Sequence, residues 1–326
     1  MNAVDHNNVV IFDDRGIPSI MCRFVRPKDT EEVTAVFKIG DKVADAIYIS
    51  KYPNIVIDGR AYSMPMADPT VNITFDEAVQ ACRCKGLGWH LMTAVEYEYL
   101  LNQSREKGTM PHGNTDWGKD YYHNEEQGKV SNLGRTYTGT GPVTWNHDHT
   151  PYGVSDLNGN VWEWLAGLRI KDGVIEFIPG NKAASPYCDL SKDSTEWQQA
   201  ETSKGPVRAN VECGEITITD AVAADDYEPN YDGVRIEELE VKLSEIPQVL
   251  KDLGIIPDKR AEEEGKTYVY FDATEGEYLP FRGSAFLGTS NSGPSALSLS
   301  NPRSHSYGFI GFRSAFYEVN GKLITE

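Results

Sequence analysis

Residues 152–164 read YGVSDLNGNVWEW, and this stretch carries the strongest fold signal in the chain. Alternation along residues 160–165 predicts a strand on which Trp162 and Trp164 share one face. Gly159, just before this strand, suits a tight turn that a side chain would block. Because two indole rings on one face can fill the space beneath long loops, we interpret both tryptophans as core residues.

Two amphipathic helices are predicted upstream of this strand. Thr74 is the expected N-cap of the first helix, and Glu77, three positions later, completes a capping-box pattern. This helix should run to Gly86. Thr93 and Glu96 repeat the pattern at the start of the second helix.

Strands and loops are predicted for most of the remaining chain. Short β-rich runs predict N-terminal strands at residues 9–12, 33–37, 46–49 and 55–57. Strand character returns near the C-terminus, at residues 267–272, 279–286 and 309–317. Residues 108–159 mix Gly, Asn, Asp, Tyr and Trp irregularly, which predicts long loops of the kind that often bind ligands. Residues 288–308 have the Ser, Asn, Gly and Pro content of a loop, which strand-like flanks would tie down.

An acidic segment at about residues 185–265 separates these regions. Its last part, residues 235–253, has apolar residues at helical spacing and predicts an amphipathic helix interrupted at Pro247. We interpret the acidic segment as an insertion on a core fold.

Composition and charge limit the classes of partner. The chain has 326 residues, of which 40% are hydrophobic, so it can bury a core. Its formal net charge of −18 repels phosphate backbones and opposes attachment to anionic lipid, whereas a cationic surface partner is compatible with it. No run approaches the roughly 20 apolar residues of a membrane-spanning helix, and the N-terminus lacks the pattern of a signal peptide. We therefore expect a soluble protein.

Neither the cysteines nor the histidines predict a metal or redox centre. The five cysteines have no regular spacing, and we interpret them as reduced structural thiols. Cys82 and Cys84 lie two positions apart on a predicted helix, where they point in different directions. His147 and His149 are the one close histidine pair, and we interpret them as an ordinary loop pair without a third ligand.

Calcium is the remaining metal to consider, because several oxygen-bearing side chains lie close together in sequence. They are Asp156, Asn158, Asn160 and Glu163. Turn formation explains the Asp and Asn residues better, so we predict no metal and no cofactor.

The motifs occur in the order seen in the formylglycine-generating-enzyme branch of the C-type-lectin fold. Residues 89–98 (WHLMTAVEYE) are similar to the family's R-L-P-T-E-A-E-W-E stretch, and residues 110–114 (MPHGN) to its P-W-G-N. Residues 152–164 resemble its motif G-L-x-D-M-x-G-N-V-W-E-W. Residues 282–284 (RGS) and 311–313 (GFR) resemble its closing R-G-G-S and G-F-R. The resemblance implies an α+β protein with the C-type-lectin fold, long loops, two helices and an acidic insertion.

Two arginines in these closing motifs have an expected structural role. The planar guanidinium groups of Arg282 and Arg313 suit the clamping of carboxylates or loop carbonyls. Both residues therefore indicate the fold more than the function.

The resemblance to the oxidases of this branch stops at their copper site. Those enzymes have a cysteine pair shortly after R-G-G-S, where thiolates bind copper(I). Here residues 285–293 contain no cysteine, and the last cysteine of the chain is Cys213. We therefore predict that the protein is not an enzyme. The alternative is a formylglycine-generating-type oxidase or related enzyme with an altered active site.

The C-terminal segment also resembles the variable proteins of diversity-generating retroelements, which are often found in phages and other viruses. Their pattern R-G-G-S-W…G…A-L-x-L-x-N-x-P…I-G-F-R is similar to residues 282–286, Gly293, residues 296–302 and residues 310–313. In that family, adenine-directed mutation randomises selected codons, typically asparagine codons, while framework positions stay fixed. The resemblance implies a ligand- or receptor-binding protein that displays hypervariable residues.

This resemblance implies a set of variable, ligand-binding positions whose residue types adenine changes in an asparagine codon can produce. They are Leu287, Gly288, Ser290, Asn291, Ser298, Ser300, Arg303, Ser304, His305, Tyr307 and Phe309. The expected anchors are His305, Tyr307 and Phe309, because aromatic side chains supply contact energy and lose little conformational entropy when they are fixed. Repeated copies on a particle would raise avidity about 10² to 10⁴-fold.

These interpretations give a domain map and a set of expected partners. Residues 1–45 are a β-rich region and a candidate attachment piece. Residues 46–326 are a C-type-lectin-like domain with an insertion at about 170–266 and a variable region at about 281–316. We expect a protein or cell-surface ligand, no nucleic acid and no membrane insertion. The expected location is a virion surface or tail, or the host cytoplasm before assembly; a purely structural virion component is a third interpretation.

Overall fold

The structure is a computed structural model that describes residues 7–28, 32–224 and 226–323. Within these residues the α-helices are α1 (Phe75–Arg83), α2 (Ala94–Lys107) and α3 (Gln248–Asp252). Short 3-10 helices cover Ala35–Phe37, Val143–Trp145, Lys182–Ala184, Ile236–Glu238, Glu262–Lys266 and Thr289–Asn291.

Strands make up most of the regular structure. Before α2 they are β1 (Asn8–Phe12), β2 (Pro18–Val25), β3 (Lys38–Ile39), β4 (Lys42–Val43), β5 (Ala46–Ser50), β6 (Ile55–Ile57), β7 (Arg60–Tyr62) and β8 (His90–Leu91). Between α2 and α3 they are β9 (Trp162–Trp164), β10 (Leu168–Lys171), β11 (Val174–Phe177), β12 (Gln198–Gln199), β13 (Glu201–Thr202), β14 (Gly205–Pro206), β15 (Arg208–Glu212), β16 (Glu215–Thr219), β17 (Tyr231–Arg235) and β18 (Glu240–Lys242). After α3 they are β19 (Tyr268–Asp272), β20 (Glu277–Arg282), β21 (Leu297–Asn301), β22 (Ile310–Phe312), β23 (Ser314–Val319) and β24 (Lys322–Leu323).

Both predicted capping boxes are confirmed. Thr74 Oγ1 accepts a hydrogen bond from the backbone N–H of Glu77 at 3.3 Å, and Glu77 accepts one from Thr74 N–H in return. Thr93 and Glu96 form the same reciprocal pair at the start of α2, at 3.2 and 2.9 Å. Each box supplies partners for N–H groups that a first helical turn leaves unpaired.

One sheet brings the first and last described strands together. Its strand order is β1-β2-β5-β23-β24, and β8 pairs with β23. The boundary predicted at residue 45 falls between β2 and β5, which are antiparallel neighbours in this sheet. The attachment role of residues 1–45, a range that extends outside the described residues, stays a prediction.

A larger sheet supports the C-terminal segment. Its order is β17-β19-β21-β20-β10-β11-β15-β16-β18, and β9 pairs antiparallel with β20 and parallel with β22. The strand predicted at residues 160–165 is therefore confirmed as β9. Strands from the predicted insertion extend this sheet on both sides.

Two predictions of element type and length are wrong. Residues 33–37 form a 3-10 turn instead of a strand, closed by a 3.0 Å hydrogen bond from Phe37 N–H to the Thr34 carbonyl. Helix α1 ends at Arg83 instead of Gly86, because Gly86 N–H donates to the Arg83 carbonyl at 3.2 Å and closes a turn.

The amphipathic helix predicted at residues 235–253 with an interruption at Pro247 is wrong before Pro247 and is confirmed after it by the short helix α3. This range contains the end of β17, the 3-10 helix Ile236–Glu238, β18 and α3, and Pro247 takes the N-cap position of α3. β17 pairs with β19 and β18 with β16, so the backbone groups find their partners across strands. The apolar side chains of Leu250 and Leu253 are nevertheless buried.

The two segments predicted as loops differ in outcome. Residues 108–159 are confirmed as long loops, with one 3-10 turn at Val143–Trp145 and no α-helix or named strand. Residues 288–308 contain β21, which lies between β19 and β20 and buries Leu297 and Leu299. The strand predicted at residues 279–286 is confirmed only as far as Arg282, where β20 ends, and the strand predicted at residues 309–317 is confirmed as β22 and β23.

Both motif arginines form the predicted clamps. Arg313 is fully buried and binds Glu163 through Nε (2.9 Å) and Nη2 (2.7 Å). It also donates to backbone carbonyls in β5 and the loop before β9. Arg282 is buried and binds Glu98 of α2 at 2.9 Å. The two strands that bound the C-terminal segment are therefore fastened to the core by ion pairs.

We expect Glu163→Gln to lower the free energy of unfolding by about 3–5 kcal/mol, because it leaves the buried Arg313 charge without a counter-charge. Urea denaturation of the whole chain measures this change. The control is Asp58→Asn, which removes the partner of Arg15 where both side chains are at least half exposed. The control should change stability by less than about 1 kcal/mol. Equal losses in the two variants would contradict the role given to Glu163.

Candidate functional site

An open cleft of about 650 Å³ lies over β19, β20 and β21, at the edge of the larger sheet. Seven of the eleven predicted variable positions line it. They are Leu287, Gly288, Asn291, Ser298, Ser300, His305 and Phe309. The segment between the two arginine-bearing strands therefore brings most of its predicted positions to one surface.

Three aromatic side chains of this segment form a stack beside the cleft. The ring centroids of His305 and Tyr307 are 5.3 Å apart, and those of Tyr307 and Phe309 are 5.2 Å apart, with interplanar angles of 28° and 30°. Tyr307 is 55% exposed and lies in the middle of the stack. Burial lowers the pKa of His305 and so favours its neutral ring. The predicted anchors are thus one continuous aromatic surface.

Hydroxyl and amide groups lie on the β21 side of the cleft. Ser298 Oγ and Ser300 Oγ are 2.9 Å apart, and Asn301 Nδ2 donates to Ser298 Oγ at 2.8 Å. Tyr231 also hydrogen-bonds to Ser300. These groups provide polar contacts next to the aromatic surface.

The other predicted positions do not line the cleft. Arg303 binds Glu277 through Nε at 2.9 Å, and its Nη1 and Nη2 bind Asp76 and the Leu190 carbonyl. This arginine braces the framework beneath the segment. Ser290 lies at the edge of the cleft, where its carbonyl accepts a hydrogen bond from Tyr122, and Ser304 is exposed.

Several cleft residues were not predicted from the sequence. They are Trp162, Tyr231, Tyr270, Asp272, Phe281 and Asn301. Trp164 is fully buried as predicted. Trp162 packs against the same core and against Phe281, with ring centroids 5.0 Å apart, but it is partly exposed at the cleft, so its assignment as a core residue is confirmed only in part. The alternation in β19, with Val269 and Phe271 buried, is a signal that could have shown the opposite face to be free.

Tight backbone contacts fix the turn next to the cleft. Gly159 has φ +73°, and a Cβ there would lie 2.1 Å from the Asn114 carbonyl oxygen. Its N–H donates to the Gly283 carbonyl at 2.6 Å. Gly283 has φ +91°, and a Cβ there would lie 2.6 Å from the Leu157 carbonyl oxygen. The two glycines allow the loop before β9 to pack directly on the start of the variable segment.

Three of the four residues considered for calcium have partners for their side-chain oxygens, whereas Asn158 Oδ1 is buried without a hydrogen-bond partner among the described residues. Asp156 and Asn160 have φ values of +60° and +62°, which fits the predicted turn-forming roles. Asn160 Oδ1 accepts hydrogen bonds from Asn114 Nδ2 and Thr136 N–H, and Glu163 binds Arg313. No group of three or more His, Cys, Asp or Glu side chains within the described residues could hold a metal ion.

The predicted loop histidines are also committed to the fold. His147 Nδ1 accepts a hydrogen bond from Val154 N–H at 2.8 Å, and burial lowers the pKa of His147 to about 4. His149 Nε2 lies 3.1 Å from the Met110 carbonyl.

The cysteines lie away from the cleft. All five are free and within the described residues, and none lines the cleft. Cys22, Cys82 and Cys188 are buried, and burial raises the pKa of Cys22 to about 12 and of Cys188 to about 11.

No helix in the described ranges is long and apolar enough to cross a membrane.

Comparison with known proteins supports the α+β, C-type-lectin-like fold over part of the chain. Residues 50–208 match the family model described as the sulfatase-modifying factor enzyme 1-like domain, which confirms the resemblance to the formylglycine-generating branch. The formylglycine-generating enzyme of Mus musculus is 36% identical over 105 residues, which span 30% of this chain and 27% of that enzyme. The chain therefore covers about a quarter of the curated relative.

Three solved structures of low sequence identity are similar to the chain, each with a TM-score below 0.5. PvdO from Pseudomonas aeruginosa is 14% identical, with a TM-score of 0.39 over 97% of this chain and 100% of PvdO. Treponema denticola variable protein 1 is 11% identical, with a TM-score of 0.36 over 95% of this chain and 98% of that protein. The Major Tropism Determinant P3c variant is 12% identical, with a TM-score of 0.33 over 96% of this chain and 61% of that protein.

We expect Gly159→Ala to destabilise the protein more than Gly214→Ala. Both glycines have left-handed backbone angles, which cost a non-glycine residue about 1–2 kcal/mol, but nothing lies within 4 Å of a Cβ at Gly214. The clash with the Asn114 carbonyl should add about 1–3 kcal/mol at Gly159. Thermal and urea denaturation of the two variants measures the difference, and equal destabilisation would show that the contact at Gly159 is not tight.

Proposed function

We propose that the protein binds a protein or cell-surface ligand through this cleft and does not catalyse a reaction. The observation that carries the proposal is the convergence of seven predicted variable positions on one open surface. Exposed aromatic rings at the cleft, with hydroxyl and amide groups beside them, are the side chains that binding loops of antibodies use. The cleft is therefore suited to contact with varied partners.

The framework supports this proposal because it separates contact residues from structural ones. Arg282 and Arg313 fasten the two ends of the segment through buried ion pairs. Leu287 and Tyr307 in between are exposed, so substitutions there alter the surface while the buried framework stays unchanged. Such a division is what a diversified binding protein requires.

We further propose that these positions are diversified by a retroelement and that the protein is associated with a phage or virus, at a virion surface or tail. Multiple copies on a particle would convert weak single contacts into strong attachment. This part of the proposal follows from the similarity of residues 282–313 to retroelement variable segments.

The DNA beside the coding region tests the diversification. We expect a near-copy of the codons for residues 281–316 that differs almost only at adenines, next to a reverse transcriptase gene. The codons for Leu287, His305, Tyr307 and Phe309 should carry such differences, and the codons for Arg282 and Arg313 should not. Sibling copies that are identical throughout this segment would contradict the proposal.

The oxidase alternative predicts a different result with copper. We expect the purified protein, supplied with copper(I) and a cysteine-containing peptide in air, to consume oxygen no faster than copper and peptide alone. The reason is that no cysteine lines the cleft to hold a soft metal. A formylglycine-generating enzyme is the positive control. Oxygen consumption above background would support the enzyme and contradict the binding function.

A further inference from the structure

We infer that the cleft receives a basic side chain, a lysine or arginine presented by a protein partner, among the aromatic residues of the variable segment and a second wall formed by residues of β17 and β19. This inference rests on the proposed binding function and names the partner's chemistry. It also gives the insertion a role, because β17 lies within the insertion and contributes Tyr231, whereas β19 follows it.

The second wall consists of two tyrosines and a carboxylate. Tyr231 begins β17, and Tyr270 and Asp272 lie on the same face of the neighbouring strand β19. Tyr231 pairs with Asp272 in the strand register. All three side chains line the cleft together with His305 and Phe309. A ligand group in the cleft therefore meets aromatic rings from β17, from β19 and from the variable segment.

The floor of the cleft is aromatic as well. Trp162 and Phe281 pack edge to face with their centroids 5.0 Å apart, and both are cleft residues. A cation within about 6 Å of an aromatic ring face is attracted by the negative potential of that face, most strongly at tryptophan. Several aromatic rings that line one cleft can therefore attract the same cation together.

The formal charge of the cleft favours a cation. The lining includes the Asp272 carboxylate and, among the described residues, no lysine or arginine. Asp272 Oδ1 accepts hydrogen bonds from Thr274 N–H at 2.9 Å and Thr274 Oγ1 at 2.6 Å, which hold the carboxylate in place. Arg303 of the variable segment is already paired with Glu277 and Asp76 and does not line the cleft. A basic side chain would supply the positive charge that the Asp272 carboxylate lacks within the cleft.

The other titratable groups of the cleft favour their neutral forms and do not oppose a cation. Burial and the carboxylates of Asp232 and Asp272 raise the pKa of Tyr231, and burial with neighbouring tyrosines raises the pKa of Tyr270 to about 12. Burial lowers the pKa of His305. The tyrosines therefore keep their hydroxyl protons, and the neutral form of the imidazole is favoured.

The rim and the overall charge point to a basic side chain on a protein surface instead of a free small molecule. Leu287 is 41% exposed and Tyr307 is 55% exposed, so apolar groups at the rim are available to the surface around the inserted side chain. The net charge of −18 attracts a basic partner surface over a distance that salt shortens. Association with such a partner should weaken as ionic strength rises.

Capped pentapeptides Gly-Gly-X-Gly-Gly, with lysine, arginine, norleucine or glutamate at X, test the inference on the full chain. Binding is followed by chemical-shift changes in NMR spectra and by tryptophan fluorescence. We expect the lysine and arginine peptides to bind at least about tenfold more tightly than the norleucine and glutamate peptides, and less tightly at high salt. Peptide concentrations up to about 10 mM cover the affinity of a single inserted side chain.

Two variants localise the binding to the second wall. Asp272→Asn keeps the acceptor for Thr274 and removes the charge, and Tyr231→Leu removes one ring. Each substitution should weaken the binding of the lysine peptide about three- to tenfold. Asp193→Asn is the matched control, because it removes the same charge from an exposed position outside the cleft and should have no effect beyond a small salt-dependent one.

The outcomes separate this inference from the proposed function. If the norleucine peptide binds as tightly as the lysine peptide, and Phe309→Ala weakens the binding of both, the cleft binds ligands but the inference that it prefers a basic side chain is wrong. If Asp272→Asn behaves like Asp193→Asn, or if no peptide binds, the inference is also wrong. The proposed function is judged independently by the adenine-directed differences in the codons for residues 281–316.

Discussion

The buried ion pair between Arg313 and Glu163 is the contact on which the arrangement of the two sheets depends. Every N–H group of the guanidinium has an acceptor: both Glu163 oxygens and the carbonyls of Ser50, Lys51 and Ser155. A charge buried this deeply is tolerated only with such complete pairing. These acceptors come from the first sheet, from β9 and from the loop before it, so one side chain fixes the relative position of all three.

Local sequence signals predicted the parts of the fold that neighbouring residues decide. Thr74 and Thr93 identified both helix starts, because a capping box is formed by residues three positions apart. The arginine clamps followed from motifs that resemble known proteins. Strand β21 was missed because its Ser-rich composition is typical of a loop. The backbone N–H and C=O groups of β21 instead form hydrogen bonds with β19 on one side and β20 on the other. No local sequence pattern reveals that these strands are its neighbours. Residues 235–246 show the opposite error, since apolar spacing suggested a helix where partner strands were available.

The candidate site was predicted in part for the same reason. The resemblance located the variable segment, and positions such as His305 and Phe309 do line the cleft. On the second wall, Tyr231 was missed because it lies about fifty residues upstream of the variable segment, in a stretch interpreted only as an acidic insertion. Tyr270 and Asp272 were assigned only to a strand, since the sequence does not show that this strand lies beside β21. Trp162 was assigned to the core because alternation shows which residues share a face but does not show where that face ends. A binding site built from distant strands is visible only once those strands are paired.

The pairing of β9 with β20 on one side and β22 on the other has a consequence for tolerance of mutation. Strands that flank a common neighbour are held about 10 Å apart, whatever sequence connects them. The connecting segment begins and ends at these anchored strands. The pairing of the strands in the core therefore compensates for the chain entropy that is lost when the ends of the segment are brought together. New residues in that segment can therefore be sampled without the protein having to fold anew each time.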